Sequence, residues 1–358
     1  MRISPDHLRK VAAAITASVG ATKPEAELVA ESLVSAEMRG IPTHGLNFLP
    51  MLAERVEQGL VSVPTNTEVL LDDGAVAHID GGNGLGQVAA DLAMEKAIEK
   101  AGTFGIGGSL VRNTNHIGLL AFYTMKAAAR GMVGFCMSNS AASIAPWGGR
   151  EAFFGTNPFS VAAPCDEGKP VVLEMSTSIV ARGKIRRAIR MKQEIPEGWA
   201  LDADGNATTD PEEAMKGTLL PIGGPKGYGM AFFIDLISGL ISGSSFSRGV
   251  STFHKPIEPT GVGVTCIAID IARFIPMKDF TAQVRDHAEA IRGSKKANSQ
   301  GRIYLPGEIE AERASAATAD GIELDPPVEV ALEKLIASRG LDIRLDGGTP
   351  LQAIPAEK

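Results

Sequence analysis

The chain has 358 residues, of which 44% are hydrophobic and 22% are charged, and this balance excludes a disordered or fibrous protein. The formal net charge of -7 argues against nucleic acid as a partner, because such affinity comes from clustered Lys and Arg. The three cysteines, Cys136, Cys165 and Cys266, lie far apart and predict neither a disulfide framework nor a metal site. Without a signal-peptide pattern or a run of about 18 apolar residues, we expect a cytoplasmic protein that does not bind a membrane.

The first 40 residues predict a helical hairpin. Ser4-Pro5-Asp6 is typical of a helix start, and apolar residues then recur at helical spacing until Gly20. Thr22 and Glu25 have the spacing of a capping box, which starts a second helix that runs to Gly40.

From about residue 68, short β-prone runs alternate with alanine-rich helical segments, which predicts an α/β fold. The predicted strands are 75–79, 106–111, 132–137, 160–163, 171–175 and 262–269, and the predicted helices are 87–101, 119–130 and 226–242. Residues 191–225 are rich in turn residues and predict a long loop.

The glycine-rich segments do not match a standard nucleotide fingerprint. Residues 82–86 and 105–108 lack the G-x-G-x-x-G spacing, and residues 223–227 lack the P-loop spacing. Nucleotide binding therefore requires another scaffold. The basic run from Arg182 to Arg190 has two interpretations, a solvated basic face or a contact with a cofactor phosphate.

Two histidines occur in settings that suit chemistry. His44 lies in Thr43-His44-Gly45 after the second predicted helix, and His116 lies between a predicted strand and a predicted helix. Imidazole exchanges protons near pH 7, so both are candidate acid/base residues. The alternative for each is a hydrogen-bonded structural histidine.

Nine ordered motifs resemble the malate/L-lactate/L-sulfolactate dehydrogenase family, which also includes ureidoglycolate dehydrogenase, 2,3-diketogulonate reductase and Δ1-piperideine-2-carboxylate reductase. They are Arg39-Gly40 with Thr43-His44-Gly45, 83–87, Arg112-Asn113 with Asn115-His116, Ala145-Pro146 with Gly148-Gly149, 155–158, 174–178, Pro196 with 198–200, 226–229 and 306–308.

The resemblance implies an α/β, non-Rossmann, L-sulfolactate dehydrogenase-like fold. Residues 68–274 would form the central cofactor-binding body, and residues 1–67 with 275–358 would form a helical lobe from both chain ends. The family also implies a homodimer with a shared active site. Its activity is transfer of a hydride between NAD(P)H and a small 2-oxo or 2-hydroxy acid, as in malate and lactate dehydrogenases.

The same resemblance implies roles for individual residues. His116 is the proton donor and acceptor, and His44 lies beside the substrate with Thr43. The implied cofactor contacts are Ser140, Glu174, Met175, Ser176, Lys226, Pro306, Gly307 and Glu308.

The chain departs from the family at two substrate positions. Many relatives place an arginine and a tyrosine where this chain has Phe48 and Leu52. A phenyl ring cannot bind a carboxylate bidentately, so either another cation holds the substrate or the substrate is more apolar than malate.

Cofactor choice and activity each leave an alternative. The basic run from Arg182 favours NADP, whereas Glu174 favours NAD through a ribose hydroxyl, and the balance inclines to NAD. The alternative reaction is reduction of a cyclic 2-imino acid, and a further alternative is a non-catalytic family member. We expect no catalytic metal, because no metal-ligand spacing is visible.

Overall fold

The computed structural model describes residues 2–165, 169–254, 257–297 and 301–347. The chain divides into two compact units, residues 1–59 with 310–358 and residues 60–309. The second unit thus includes residues 60–67 and 275–309, which we had predicted to lie in the helical lobe. The Ser62 amide donates to the Asn83 carbonyl at 2.9 Å. Met277–Arg292 packs on the turn after the last sheet strand, and the carbonyl of Pro306 accepts the amide of Val172 at 3.1 Å.

The helices and strands of both units are numbered here in chain order. The helices are α1 Pro5–Ser18, α2 Lys23–Met38, α3 Leu49–Glu57, α4 Gly86–Phe104, α5 Ala121–Ala129, α6 Arg182–Met191, α7 Pro211–Lys216, α8 Pro225–Asp235, α9 Met277–Arg292, α10 Glu308–Asp320 and α11 Pro326–Ser338. The strands are β1 Arg2–Ile3, β2 Glu68–Asp73, β3 Val76–Asp80, β4 Ile106–Thr114, β5 Met132–Ser138, β6 Phe159–Ala163, β7 Val171–Met175, β8 Ala200–Leu201, β9 Thr218–Leu219, β10 Val262–Asp270 and β11 Ile322–Glu323.

The first unit contains the predicted helical hairpin. The Ser4 hydroxyl accepts the amide of His7 at 3.2 Å at the start of α1. The Glu25 carboxylate accepts the Thr22 amide at 2.7 Å at the start of α2, so the predicted capping interaction is confirmed. The apolar sides of α1 and α2 then pack together and are buried.

The second unit is built on a seven-stranded mixed sheet in the order β2-β3-β4-β10-β5-β6-β7. Only the β3–β4 pairing within this sheet is parallel. Helix α4 packs near Cys266 on β10, while the Ser238 hydroxyl lies 2.9 Å from that of Thr265. Because adjacent strand residues face opposite sides, α4 and the segment after α8 cover opposite faces of the sheet.

The passage from 191 to 225 is more regular than the predicted loop. It contains α7 and the short β8–β9 pair, which pack with α6 around a small apolar cluster that includes Ile144, Ile185 and Leu219. The predicted helix 226–242 is α-helical only to Asp235 and continues as a π-helical segment, Leu236–Ile241.

Within the described residues, no helix is both long enough and apolar enough to span a bilayer. In the same part of the chain, no group of three His, Cys, Asp or Glu side chains is arranged to hold a metal ion.

Candidate functional site

His116 lies just beyond β4, in the loop that leads to α5. Its Nδ1 accepts the amide hydrogen of Gly118 at 3.1 Å, and its ring centroid lies 5.9 Å from that of Phe253. An imidazole nitrogen that accepts a hydrogen bond is unprotonated, so the neutral ring carries its proton on Nε2. Nε2 is therefore the hydrogen-bond donor of the half-buried neutral ring.

Buried polar contacts hold this loop on both sides of His116. Asn115 donates from Nδ2 to the Gly84 carbonyl at 2.9 Å and accepts the Thr260 hydroxyl at 2.9 Å. The Tyr123 hydroxyl donates to the Ile117 carbonyl at 2.5 Å. Buried, satisfied hydrogen bonds favour one conformation, so the position of His116 is well defined.

Glu174 joins the His116 loop to strand β7. One carboxylate oxygen accepts the amide of Leu120 and the other accepts that of Ala121, each at 2.9 Å. These amides lie at the N-terminus of α5, where a negative charge also interacts favourably with the helix dipole. The carboxylate that the sequence analysis assigned to a cofactor ribose is thus engaged by the protein backbone.

Ser140 lies in a second segment of the site, which Asn157 holds in place. Asn157 accepts the Ser140 amide at 3.1 Å and donates to the Ala231 carbonyl at 2.8 Å. A Cβ on Gly155 would lie 2.2 Å from the Ser140 carbonyl oxygen. The segments that contain Gly155 and Ser140 therefore approach more closely than any residue with a side chain at position 155 would allow. In the sequence, residues 155–158 stood out only as a family motif. The role of Asn157, whose φ is a positive 26°, becomes visible only in the fold.

Hydrogen bonds connect the remaining predicted cofactor segments to β7. Met175 ends β7, and the Ser176 hydroxyl lies 3.1 Å from that of Ser178. The Thr177 carbonyl accepts the Ile222 amide at 2.8 Å, four residues before Lys226. Lys226 is exposed in the first turn of α8.

The segment Pro306–Glu308 lies along the edge of the sheet. The Pro306 carbonyl accepts the Val172 amide, and a Cβ on Gly307 would lie 2.7 Å from the Val172 carbonyl. Glu308 accepts the Leu305 amide at 2.9 Å and forms ion pairs with arginines 292 and 302. The Leu305 amide, followed by these arginines, lowers the pKa of Glu308 despite partial burial.

Thr43 and His44 belong to the first unit and lie in a short 3-10 turn, Pro42–His44. The Thr43 hydroxyl is 3.0 Å from Nδ1 of His44. Burial lowers the pKa of His44 to about 4, because a charged imidazolium would lose hydration there. His44 is therefore uncharged at pH 7.

Phe48 and Leu52 follow this turn and are 4% and 2% exposed. Phe48 ends a second 3-10 turn, and Leu52 lies one helical turn later in α3. They present almost no surface to a ligand in this conformation, and their role as substrate contacts stays a prediction.

Glu37 supports the turn that carries His44, and the sequence analysis did not single it out. Its carboxylate accepts the Leu46 amide at 2.8 Å, and a Cβ on Gly45 would lie 2.2 Å from its Oε1. Burial raises the pKa of Glu37 to about 7; the Leu46 amide opposes this shift, and the charge of Asp325 adds to it.

We expect Glu37→Gln to stabilise the protein at pH 8 and to have a much smaller effect on its stability at pH 5. A carboxyl whose pKa rises from 4.5 to about 7 on folding binds more protons in the folded state, so wild-type stability falls as pH rises through this window. His44 has the opposite effect below pH 6.5, but it is present in both proteins and cancels. Calorimetric Tm values from pH 5 to 8 measure the difference.

Glu27→Gln is the matched control, because Glu27 is an exposed carboxylate on the same helix. Its Tm should follow that of the wild type at every pH. Parallel Tm curves for Glu37→Gln and the wild type would contradict the assignment.

An open groove of about 540 Å³ lies elsewhere on the second unit, lined by Phe153 and residues 243–249. None of the predicted site residues lines it. Ser244, in its wall, accepts the Asn113 amide at 3.2 Å, so the groove adjoins the back of the His116 loop. The hydrogen-bonded segments, not this groove, define the candidate site.

The fold matches that of a solved 2-hydroxy acid dehydrogenase. Sulfolactate dehydrogenase from Methanocaldococcus jannaschii superposes with a TM-score of 0.89 at 34% sequence identity, covering 95% of this chain and 98% of that one. L-sulfolactate dehydrogenase from Methanothermobacter thermautotrophicus is 35% identical over 97% of this chain and 99% of its own length.

The model of the malate/L-lactate dehydrogenase family matches residues 3–333. The chain therefore belongs to this family and is an NAD(P)-dependent oxidoreductase that acts on CH–OH groups. Its relatives differ in cofactor. (2R)-3-sulfolactate dehydrogenase (NADP(+)) from Chromohalobacter salexigens is 35% identical over 76% of this chain and 82% of its own length. Ureidoglycolate dehydrogenase (NAD(+)) from Escherichia coli K12 is 32% identical over 90% of this chain and 93% of its own length.

Proposed function

We propose that this protein interconverts a small 2-oxo acid and its 2-hydroxy acid, with His116 as the general acid and base. The observation that carries the proposal is the arrangement around His116. Polar contacts define the histidine loop, and Glu174 ties it to the end of strand β7, beside Met175 and Ser176. A proton-transfer group beside a cofactor segment is what such a reaction needs.

A bound nicotinamide supplies the hydride to C2 in one direction and accepts it in the other. The oxygen at C2 then needs a proton during reduction and must lose one during oxidation. His116 exchanges this proton: in oxidation the neutral ring accepts it on its unprotonated nitrogen and becomes doubly protonated. Because a neutral imidazole would become an anion on losing its only proton, the acid in reduction is the doubly protonated ring.

The predicted cofactor residues carry side chains that suit a dinucleotide. Hydroxyls of Ser140 and Ser176 offer hydrogen bonds to ribose or phosphate oxygens, and Lys226 offers a positive charge at the N-terminus of α8, where the helix dipole favours anions. Pro306–Glu308 would line the same cofactor from the sheet edge. These groups bind and orient the cofactor beside His116.

His44 and Thr43 would hold the substrate by hydrogen bonds. With a pKa of about 4, His44 is neutral at pH 7 and is suited to hydrogen bonding, which leaves proton donation to His116. We also propose that the protein is a cytoplasmic homodimer. Analytical ultracentrifugation would measure the mass of the assembly.

Oxidation of NADH and NADPH at 340 nm tests the function. The panel contains pyruvate, oxaloacetate, 3-sulfopyruvate and cyclic Δ1-pyrroline- and Δ1-piperideine-2-carboxylates. We expect turnover with an open-chain 2-oxo acid, faster at lower pH in reduction and at higher pH in oxidation. Turnover with the cyclic imines alone would instead establish the imino-acid reductase alternative, and saturable cofactor binding without any turnover would contradict both.

A further inference from the structure

Helix α6 has one apolar side and one cationic side. Ile185 is fully buried in the small cluster formed with α7 and β9. Arg182, Arg186 and Arg190 follow one another at four-residue spacing along α6, and Arg187 lies beside them. Arg187 and Arg190 are exposed and Arg186 is half-buried, whereas Arg182 lies three residues before Ile185 and so borders the apolar side. We call these four residues the α6 arginine stripe.

Most of this positive charge is uncompensated by the protein. Arg186, Arg187 and Arg190 form no ion pair within the described ranges, although acidic residues exceed basic ones in the chain, 42 to 35. Partial burial, and then the charge of Arg190, lower the pKa of Arg186. Arginines that lie this close without carboxylate partners repel one another, and a bound anion would relieve the repulsion.

The stripe begins at the candidate cofactor segments. Arg182 donates to the Ser143 hydroxyl at 3.2 Å, three residues beyond Ser140, and to the carbonyls of Met215 and Gly217. These contacts fix the first turn of α6 against the segment that contains Ser140. Along the chain, α6 begins only a few residues after Ser176.

Glu174 was the residue that favoured NAD, because its carboxylate could accept a hydrogen bond from a ribose hydroxyl. In the structure its two oxygens accept the amides of Leu120 and Ala121. The carboxylate therefore has a structural role at the N-terminus of α5, whereas Arg186 and Arg190 have no carboxylate partner among the described residues.

We propose that the α6 arginine stripe binds the 2'-phosphate of NADP(H), through Arg186 and Arg190, and that the enzyme prefers NADP(H) to NAD(H). This inference rests on the proposed function, because it assumes that a dinucleotide occupies the segments around Ser140 and Ser176. A guanidinium binds a phosphate monoester through paired hydrogen bonds that a 2'-hydroxyl cannot match.

Binding titrations of the full-length protein without substrate test the inference. Calorimetry would measure Kd for NADPH and NADH, and for 2',5'-ADP and 5'-ADP as probes that lack the nicotinamide. We expect NADPH to bind at least about tenfold more tightly than NADH, and 2',5'-ADP at least about tenfold more tightly than 5'-ADP. One charge-assisted contact contributes about this much to affinity. Arg186→Gln and Arg190→Gln should each remove most of this preference and leave NADH affinity within about twofold.

Arg130→Gln is the matched control, because Arg130 is an exposed arginine that already pairs with Glu95 on α4. It should leave both affinities unchanged. Equal affinity for NADPH and NADH would overturn the inference and leave the proposed function intact, and so would a preference that survives both α6 substitutions. Failure of both dinucleotides to bind would overturn the proposed function itself.

Discussion

Replacing His116 with glutamine should lower kcat by about 10²–10⁴ and leave the Kd for the reduced cofactor within about twofold. The amide keeps polarity but cannot exchange a proton near pH 7, so the loss should appear in the chemical step. The remaining activity should also lose the opposite pH trends of reduction and oxidation. Steady-state kinetics in both directions, with cofactor titration in parallel, measure these effects.

His287→Gln is the control for this substitution, since His287 is exposed on α9. It should behave as the wild type. If His116→Gln retained more than about a tenth of wild-type kcat, His116 would not be the general acid and base. A matching fall in cofactor affinity and Tm would assign it a structural role instead.

Gly86→Ala should reduce both stability and activity, although alanine favours helices. A Cβ at this first position of α4 would lie 2.3 Å from the His116 carbonyl and 2.4 Å from that of Asn115. Backbone atoms cannot rotate away as a side chain can, so the helix and the histidine loop must separate. We expect a loss of about 1–3 kcal/mol in the free energy of unfolding. We also expect a fall of about 10²-fold in kcat, because a shift of about 1 Å in an acid/base group has such an effect.

Gly102→Ala in the same helix provides the opposite expectation. The nearest atom to its Cβ would be Met132 Cε at 4.0 Å, so the methyl group fits. Helix propensity then predicts a stabilisation of about 0.5–1 kcal/mol and unchanged kcat. Urea unfolding and kinetics of both variants test the comparison, and a Gly86→Ala enzyme with wild-type kcat would show that the contact does not position His116.

Local patterns predicted much of the secondary structure. The Ser4 cap, the capping interaction of Thr22 with Glu25, and the apolar spacing of the first helices are interactions between residues close in sequence, so the sequence contains them directly. The β-prone runs likewise matched strands. Residues 191–225 were harder, since α7 and the β8–β9 pair are short and depend on packing against α6.

The candidate site was predictable as a set of positions and not as a set of contacts. Family resemblance singled out Glu174, and only the fold shows its carboxylate on the amides of Leu120 and Ala121, more than 50 residues away. The contacts of Glu37 and Asn157 escaped the sequence analysis for the same reason. Each acts on a segment that carries a candidate site residue, through a bond that no spacing rule encodes.

The sequence by itself therefore determined the family, the start of the helical hairpin and the absence of a Rossmann fingerprint, and it made His116 the candidate for proton transfer. The tertiary structure decided which charged side chains have partners within the protein and which can bind a ligand. Arg182 and Arg186 have similar sequence settings, yet Arg182 donates to Ser143, Met215 and Gly217, while Arg186 has no carboxylate partner among the described residues. The physical reason is that a side chain's charge is encoded locally, whereas its partners come from segments that only folding brings within hydrogen-bond distance.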